Sequence, residues 1–206
     1  FQDAPQEFWP ALNRFLNEVQ VSVDELDTLL SGNEVVLART KNVGVISPAE
    51  AINASITGPI LRSTGVAWDL RQANPYEIYD RLDFDVITGE VGDNYDRFSV
   101  RLREIRQSLR ILEQCFTQVR SGPVRATTAM LFRPPPGEAY VPIEGPKGEL
   151  GFYLVSDGTI SPYRCKIRPP SLINLTLLKR MLVGWKLADM IVTVGSLDFN
   201  MGEVDR

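Results

Sequence analysis

The run from Asn94 to Val119 constrains the fold more than any other part of the chain. Phe98, Leu102, Ile105, Leu109, Leu112, Cys115 and Phe116 recur there at helical spacing, so one face of a long helix needs cover. Asp93 can cap its first turn, and Ser121-Gly122-Pro123 stops it. A second amphipathic helix is predicted over Pro5 to Leu30. Phe8, Trp9, Leu12, Leu16, Val19, Val23, Leu26 and Leu30 recur at spacings of mostly three or four. Two long helices of this kind set a helical layer as the base of the fold.

Shorter elements are legible around them. Asn33 opens a short helix over Glu34 to Arg39, and Gly44 to Ile46 is extended. Ser47-Pro48-Ala49-Glu50 is a strong helix start, with Ser47 as cap, Pro48 in the first turn and Glu50 closing a capping box. Ile56-Thr57-Gly58-Pro59 ends that helix, and Gly58 to Asp93 reads as irregular. Within it, Leu82, Phe84 and Val86 alternate with Asp83 and Asp85 as in a half-buried strand. After a linker over 124–137 the pattern changes. Glu138 to Glu144, Leu150 to Ser156 and Tyr163 to Arg168 form a predicted antiparallel meander, turned at Gly145-Pro146-Lys147-Gly148 and Asp157-Gly158. Helical segments follow around Leu172 to Val183 and Lys186 to Val194. The expected class is α+β: a helical part over 1–123, the linker, and over 138–206 a small antiparallel sheet with C-terminal helices and a loop.

Composition narrows the chemistry. Histidine is absent, which removes Ser-His-Asp and Cys-His catalysis, His-ligated metals and imidazole proton shuttles from this chain. Only Cys115 and Cys165 carry thiols, far apart and outside any CxxC pair, so neither a zinc nor an iron–sulfur ligand set is expected. The net charge of -4 argues against nucleic acid, and the arginines of the long helix (Arg101, Arg103, Arg106, Arg110) read as a solvated or subunit-facing stripe. No apolar run reaches the roughly 20 residues of a membrane span; the longest, Leu187 to Leu197, is broken by Asp189 and Gly195. The Gly145–Gly148 turn lacks the spacing of a phosphate loop. The chain opens on Phe1 in a polar, acidic stretch without a signal-peptide pattern, as expected of a processed, truncated or trimmed chain.

An ordered series of motifs points to one family. It begins with Gly58-Pro59-Ile60-Leu61-Arg62-Ser63-Thr64-Gly65, Trp68-Asp69-Leu70-Arg71 and Pro75-Tyr76. It continues through Asp83-Phe84-Asp85-Val86, Gly92-Asp93-Asn94-Tyr95-Asp96-Arg97 and Arg106-Gln107-Ser108-Leu109-Arg110-Ile111. Gly145 to Gly151, Val155 to Gly158 and Pro162 to Arg168 follow, and it ends with Gly195-Ser196-Leu197-Asp198 and Gly202 to Arg206. Together these resemble the C-terminal half of the D-type, hydrogenase-like quinone-pocket subunit of NADH:quinone oxidoreductase (respiratory complex I), a relative of the [NiFe]-hydrogenase large subunit.

The resemblance implies a hydrogenase-like fold in the peripheral arm of a membrane complex. The membrane is the mitochondrial inner membrane (matrix side) or the bacterial plasma membrane (cytoplasmic side). It implies partners: a small iron–sulfur subunit carrying the terminal 4Fe-4S cluster, a membrane-arm subunit at the quinone entrance, and the family's N-terminal half on the same or a separate chain. That half holds the histidine and tyrosine at the quinone headgroup, and the helices here are expected to bury faces against it. Between Gly122 and Arg133 the family has a longer insert than the ten or so residues present. The chain itself is expected to bind no cofactor and to hold no catalytic residue alone, with quinone as the substrate of the whole.

Candidate residues follow from the same resemblance. Asp198, Phe199, Asn200 and Met201 fall at the quinone chamber, where hydrogenases have a cysteine and this chain has none. Read from the residues alone, Asp198 is a turn carboxylate capping amides, and Phe199 and Met201 are plain core. Glu203, Asp205 and Arg206 form either a buried ionic anchor near the chamber or a solvated tail. Arg62, Asp69 and Arg71 lie at the interface with the iron–sulfur subunit or form an ion pair that holds an irregular loop. Two rival functions remain open: a non-catalytic scaffold half, and a hydrogenase-type large-subunit fragment, which the lack of ligating cysteines argues against.

Overall fold

The computed structural model describes residues 4–119, 122–124, 126 and 132–205. Two long helices run antiparallel: α1 (Phe8–Ser31) and α6 (Asn94–Gln118). Trp9 stacks near Phe116 at one end, and at the other Arg106 binds Asp24 and Asp27 of α1 at 2.9 and 2.8 Å. The predicted caps are present. Asp93 accepts from the Asp96 amide, Asn33 opens α2 (Glu34–Thr40), and Ser47 with Glu50 forms the capping box of α3 (Pro48–Asn53).

Two expectations for residues 58–93 are corrected. The segment is not irregular throughout: α4 (Gly58–Ser63) starts at the Gly58-Pro59 pair, and a single turn, α5 (Leu70–Ala73), is capped by Asp69. Pro59 ends nothing, because at the first turn of a helix its missing N–H is not needed. The predicted strand over Leu82 to Val86 does not form. Its alternation is real, with Phe84 buried and Asp83 and Asp85 exposed. However, its backbone pairs with helix side chains rather than with another strand. Gln114 and Gln107 of α6 accept from the Asp83 and Asp85 amides at 2.8 and 3.0 Å, and Gln114 donates back to the Asp83 carbonyl. The alternating pattern reports a half-buried extended chain and is silent on what receives its hydrogen bonds.

The meander forms as β1 (Gly137–Gly145), β2 (Gly148–Ser156) and β3 (Arg164–Arg168), antiparallel in sequence order. Gly145 pairs Gly148, which leaves Pro146-Lys147 as a two-residue hairpin turn. This turn sits against the start of α4. A Cβ on Gly58 would meet the Gly148 backbone at 2.4 Å, and one on Gly148 would meet Thr57 Oγ1 at 2.7 Å. Two glycines are therefore what bring the hairpin onto the helical layer. The C-terminal region folds as α7 (Pro170–Asn174), α8 (Leu178–Leu182), α9 (Leu187–Ser196) and α10 (Met201–Val204). The apolar core gathers Ile46, Ala51, Ile56, Ile60, Leu61, Met181 and Leu197, so it joins α3, α4, α8 and the end of α9. Residues 125 and 127–131 of the linker predicted over 124–137, and Arg206, lie outside the described residues.

Candidate functional site

A cleft of about 330 Å³ opens between α6, the α4–α5 region and the β1–β2 turn. Its floor is Arg62, on α4, whose side chain is only 2% exposed. Nε donates to Glu104 of α6 at 2.5 Å, while Nη1 donates to Glu144 of β1 at 2.7 Å and to the Trp68 carbonyl at 3.0 Å. Asp69 lies 3.6 Å from the same guanidinium and is clasped by Arg71 at 2.6 Å. Helix, loop and sheet thus meet on one buried cation.

The charges respond to this burial. Desolvation opposes the Arg62 cation, but Glu104 and Glu144 outweigh it and hold the group above its ordinary value. For Glu144 the balance is reversed: burial, aided by the nearby Asp69, pushes the carboxyl up despite Arg62. Asp69 is also buried, yet the Arg71 hydrogen bond and the Arg62 charge together hold it below the usual carboxylate range. One guanidinium shared by several carboxylates gains from each, while each carboxylate must also tolerate the others.

Asp198 stands at the mouth of the cleft. It follows α9 with a left-handed backbone, φ 51°, a conformation that Asp tolerates through its short polar side chain. Its Oδ2 is 2.7 Å from Lys147 Nζ, in the hairpin turn, and 3.8 Å from Arg101 Nε on α6. Arg101 donates from its terminal nitrogens to the Arg97 and Leu197 carbonyls, but its buried Nε has no hydrogen-bond partner among the described residues. Burial pulls this guanidinium below its ordinary value, with Asp198 and Glu104 opposing.

The other residues singled out from sequence fall around this point. Phe199 packs on the apolar core, Asn200 caps α10 through the Gly202 amide at 3.0 Å, and Met201 is 63% exposed. Glu203 reaches back to Ser171 of α7, accepting a short bond from its hydroxyl, and Asp205 is exposed. Arg62, Asp69 and Arg71 share the intrachain network just described. Sequence reasoning missed Lys147, Glu104 and Glu144 as partners. Lys147 and Asp198 are 51 positions apart, and nothing in local spacing announces a pair made by a hairpin touching a helix end. The arginine stripe of α6 is bound within the chain: Arg106 clamps α1, Arg110 pairs with Asp83 and Asp85, and Arg103 donates to the Thr88 carbonyl.

No group of three or more His, Cys, Asp or Glu side chains among the described residues is placed to hold a metal ion, and Cys115 and Cys165 are both free. No helix among the described residues is long and apolar enough to cross a membrane. Fold and cleft together define an α+β protein organised on ion pairs shared between helix, loop and hairpin.

Comparison with known proteins makes this specific. The family of the respiratory-chain NADH dehydrogenase 49-kDa subunit matches over residues 1–134 and 126–206, and the chain belongs to that family. It is 55% identical over its full length to the D-type subunit of NADH-quinone oxidoreductase from Dehalococcoides mccartyi, covering 56% of that protein. It is 49% identical to a D-type subunit of the same enzyme from a Roseiflexus species, covering 57% of it, and 46% identical to that of Desulforamulus reducens, covering 56%. The chain therefore spans about half the length of the curated relatives it matches.

Proposed function

We propose that this chain works as part of an NADH:quinone oxidoreductase, forming one wall of the chamber in which quinone is reduced. The observation that carries the reading is Asp198, on the loop between α9 and α10, at the mouth of a cleft it lines together with Arg101, and paired there with Lys147 of the adjoining hairpin turn. Reduction of a quinone takes up two electrons and two protons. A half-exposed carboxylate held by two cations can orient, and relay a proton towards, a developing hydroquinone oxygen. Arg101 Nε, buried and without a hydrogen-bond partner among the described residues, adds a donor beside it. The cleft lining is mostly charged, and Ile105 and Pro146 are its apolar members. Quinone sites need a largely apolar wall, so the rest comes from elsewhere: Phe199 and Met201 at the adjoining loop, and polypeptide beyond these residues.

Electrons reach the chamber from a 4Fe-4S cluster in a small neighbouring subunit. Arg62, Asp69 and Arg71 brace the loop that faces it, and Glu203 and Asp205 anchor the C-terminal turn. The complex lies at a mitochondrial inner membrane or a bacterial plasma membrane, and quinone reduction there is coupled to proton translocation through the membrane arm.

The test is Asp198→Asn, in which Asn keeps both the shape and the tolerance for the left-handed backbone. It is made in the complete protein, and assembly is checked on a native gel. Assembled complex with altered quinone kinetics or resistance to quinone-site inhibitors is expected. Unchanged kinetics and inhibition in assembled complex would favour the second reading, a scaffold half. That reading is favoured by the observation that Arg62, Asp69 and Arg71 are all engaged within the chain.

A further inference from the structure

Helix α9 is built inside out. Its inward face is polar: Asp189 accepts from Arg39 of α2 at 2.9 Å, Thr193 from Asn94 of α6 at 3.0 Å, and Ser196 from Arg97 of α6 at 2.9 Å. Asp189 and Thr193 are buried. The opposite face carries Leu187, Met190 and Ile191, at the i, i+3 and i+4 positions of one stripe. Leu187 is 71% exposed and Ile191 66%. Val183 and Trp185, just before the helix, are exposed as well, and so is Val35 of α2, which shares a groove with Lys186. An amphipathic helix on a water-facing surface has the reverse arrangement, so the apolar stripe needs cover.

The relatives identify the kind of cover. A little under half of each curated relative's length lies outside the match to this chain, so the family carries further polypeptide that can seat on this stripe.

We propose that the Leu187–Met190–Ile191 stripe of α9, extended by Val183, Trp185 and Val35, is the seat of that remaining family polypeptide, on the same or a separate chain. The polar inner face of α9 then fixes the helix to α2 and α6, and its apolar outer face joins the two halves of the family fold. This interface is remote in sequence from the cleft residues of the proposed chamber, apart from Asp198 just beyond the helix end, and does not depend on what the cleft binds.

The experiment places the photo-crosslinking residue p-benzoylphenylalanine at position 191 of the full-length protein and, separately, at position 186. Lys186 is exposed on the rim, so the second placement preserves folding if the first does not. Both proteins are irradiated in membranes and, separately, purified with the remaining family polypeptide but without any other subunit, and adducts are mapped by mass spectrometry. An adduct to family polypeptide outside the 206 residues, present already in the sample free of other subunits, is expected. An adduct only to a different subunit, an adduct between two copies of α9, or none at either position would overturn the proposal. Because the decisive sample contains no other subunit, failure of the quinone-chamber reading leaves this result interpretable.

Discussion

Replacing Arg97 with Met removes a cation that ties α6, the 42–46 segment and α9 together. The guanidinium is 0% exposed and its hydrogen-bond partners are all neutral: the Gly92 and Gly44 carbonyls at 2.8 Å each, Asn94 Oδ1 at 2.5 Å and Ser196 Oγ at 2.9 Å. Burial pulls the group down to about 9, Arg101 adds to this and Asp93 and Asp96 oppose it, so it remains a cation at neutral pH. In the variant Ser196 and Asn94 still hold each other at 3.1 Å and the Gly92 carbonyl keeps the Ile46 amide at 3.0 Å, so the loss falls on the Gly44 carbonyl. Each buried acceptor left without a donor costs about 1–3 kcal/mol. Relief of the buried charge returns part of this. The expected net loss is about 1.5 kcal/mol, or roughly 3–6 °C in Tm for a chain of this size. Urea and thermal melts followed by circular dichroism read it, with Arg103→Met as control. Arg103 is exposed and makes one 3.2 Å bond to a carbonyl, so its loss should stay within about 0.5 kcal/mol. An Arg97→Met loss no larger than the control's would refute the reasoning. The Gly44 carbonyl would then have found water, and the cation would not organise the junction.

Two further outcomes follow from the same geometry. Gln114→Ala removes both the acceptor for the Asp83 amide and the donor to its carbonyl. Faster amide exchange at Asp83 than at Asp85, and a loss of about 1 kcal/mol, are expected; equal exchange at the two sites would mean that the segment is held by Phe84 burial alone. The cleft carboxylates should show opposite pH trends. Asp69 has its folded pKa below the ordinary 3.8, so its contribution is present above that pH and is lost as pH falls through the folded value. Glu144 is held above its ordinary 4.5, so its ionisation weakens the fold as pH rises through that value. Urea midpoints measured between pH 3 and pH 7, as assay conditions of about that range, should show the gap between the protein and Asp69→Asn widening with pH. The gap for Glu144→Gln should narrow. Parallel trends would contradict the assigned directions.

Local rules carried the elements with dedicated end signals. Asp93, Asn33 and the Ser47–Glu50 box each bind the amides their positions imply, and the three strands appear where alternation and turn residues put them. Local rules failed where side chains from distant segments receive the backbone. The 82–86 segment has strand alternation but is paired by glutamines some 22 and 31 positions away. Pro59 looks like a breaker in sequence, yet it begins a helix because Gly58, with φ 70°, turns the chain into it. Of the cleft, Asp198, Arg62, Asp69 and Arg71 were visible through family resemblance. Their partners Lys147 and Glu144 depend on the contact of two glycines, and Glu104 on the packing of α6 against α4, features of three-dimensional proximity that no window of sequence contains.

The placement of polar groups explains why this chain is shaped as a part. In a self-sufficient domain apolar side chains gather inward and charge faces water. Here the junctions between α2, α6 and α9 are polar, with Asp189, Asn94, Thr193 and Arg97 buried, while Leu187, Ile191 and Val183 face outward. Buried hydrogen-bonded networks gain little net stability, but they demand one geometry, since any shift leaves a donor or acceptor unpaired. Apolar stripes are less exacting and gain stability through area. The arrangement therefore assigns precision to the inside, where Arg97 and Arg62 fix how helix, loop and hairpin meet. It assigns adhesion to the outside, where α9 awaits a partner. A substitution at Arg97 should alter the chain's own melting, and one at Ile191 should alter what the chain holds while leaving its internal network in place.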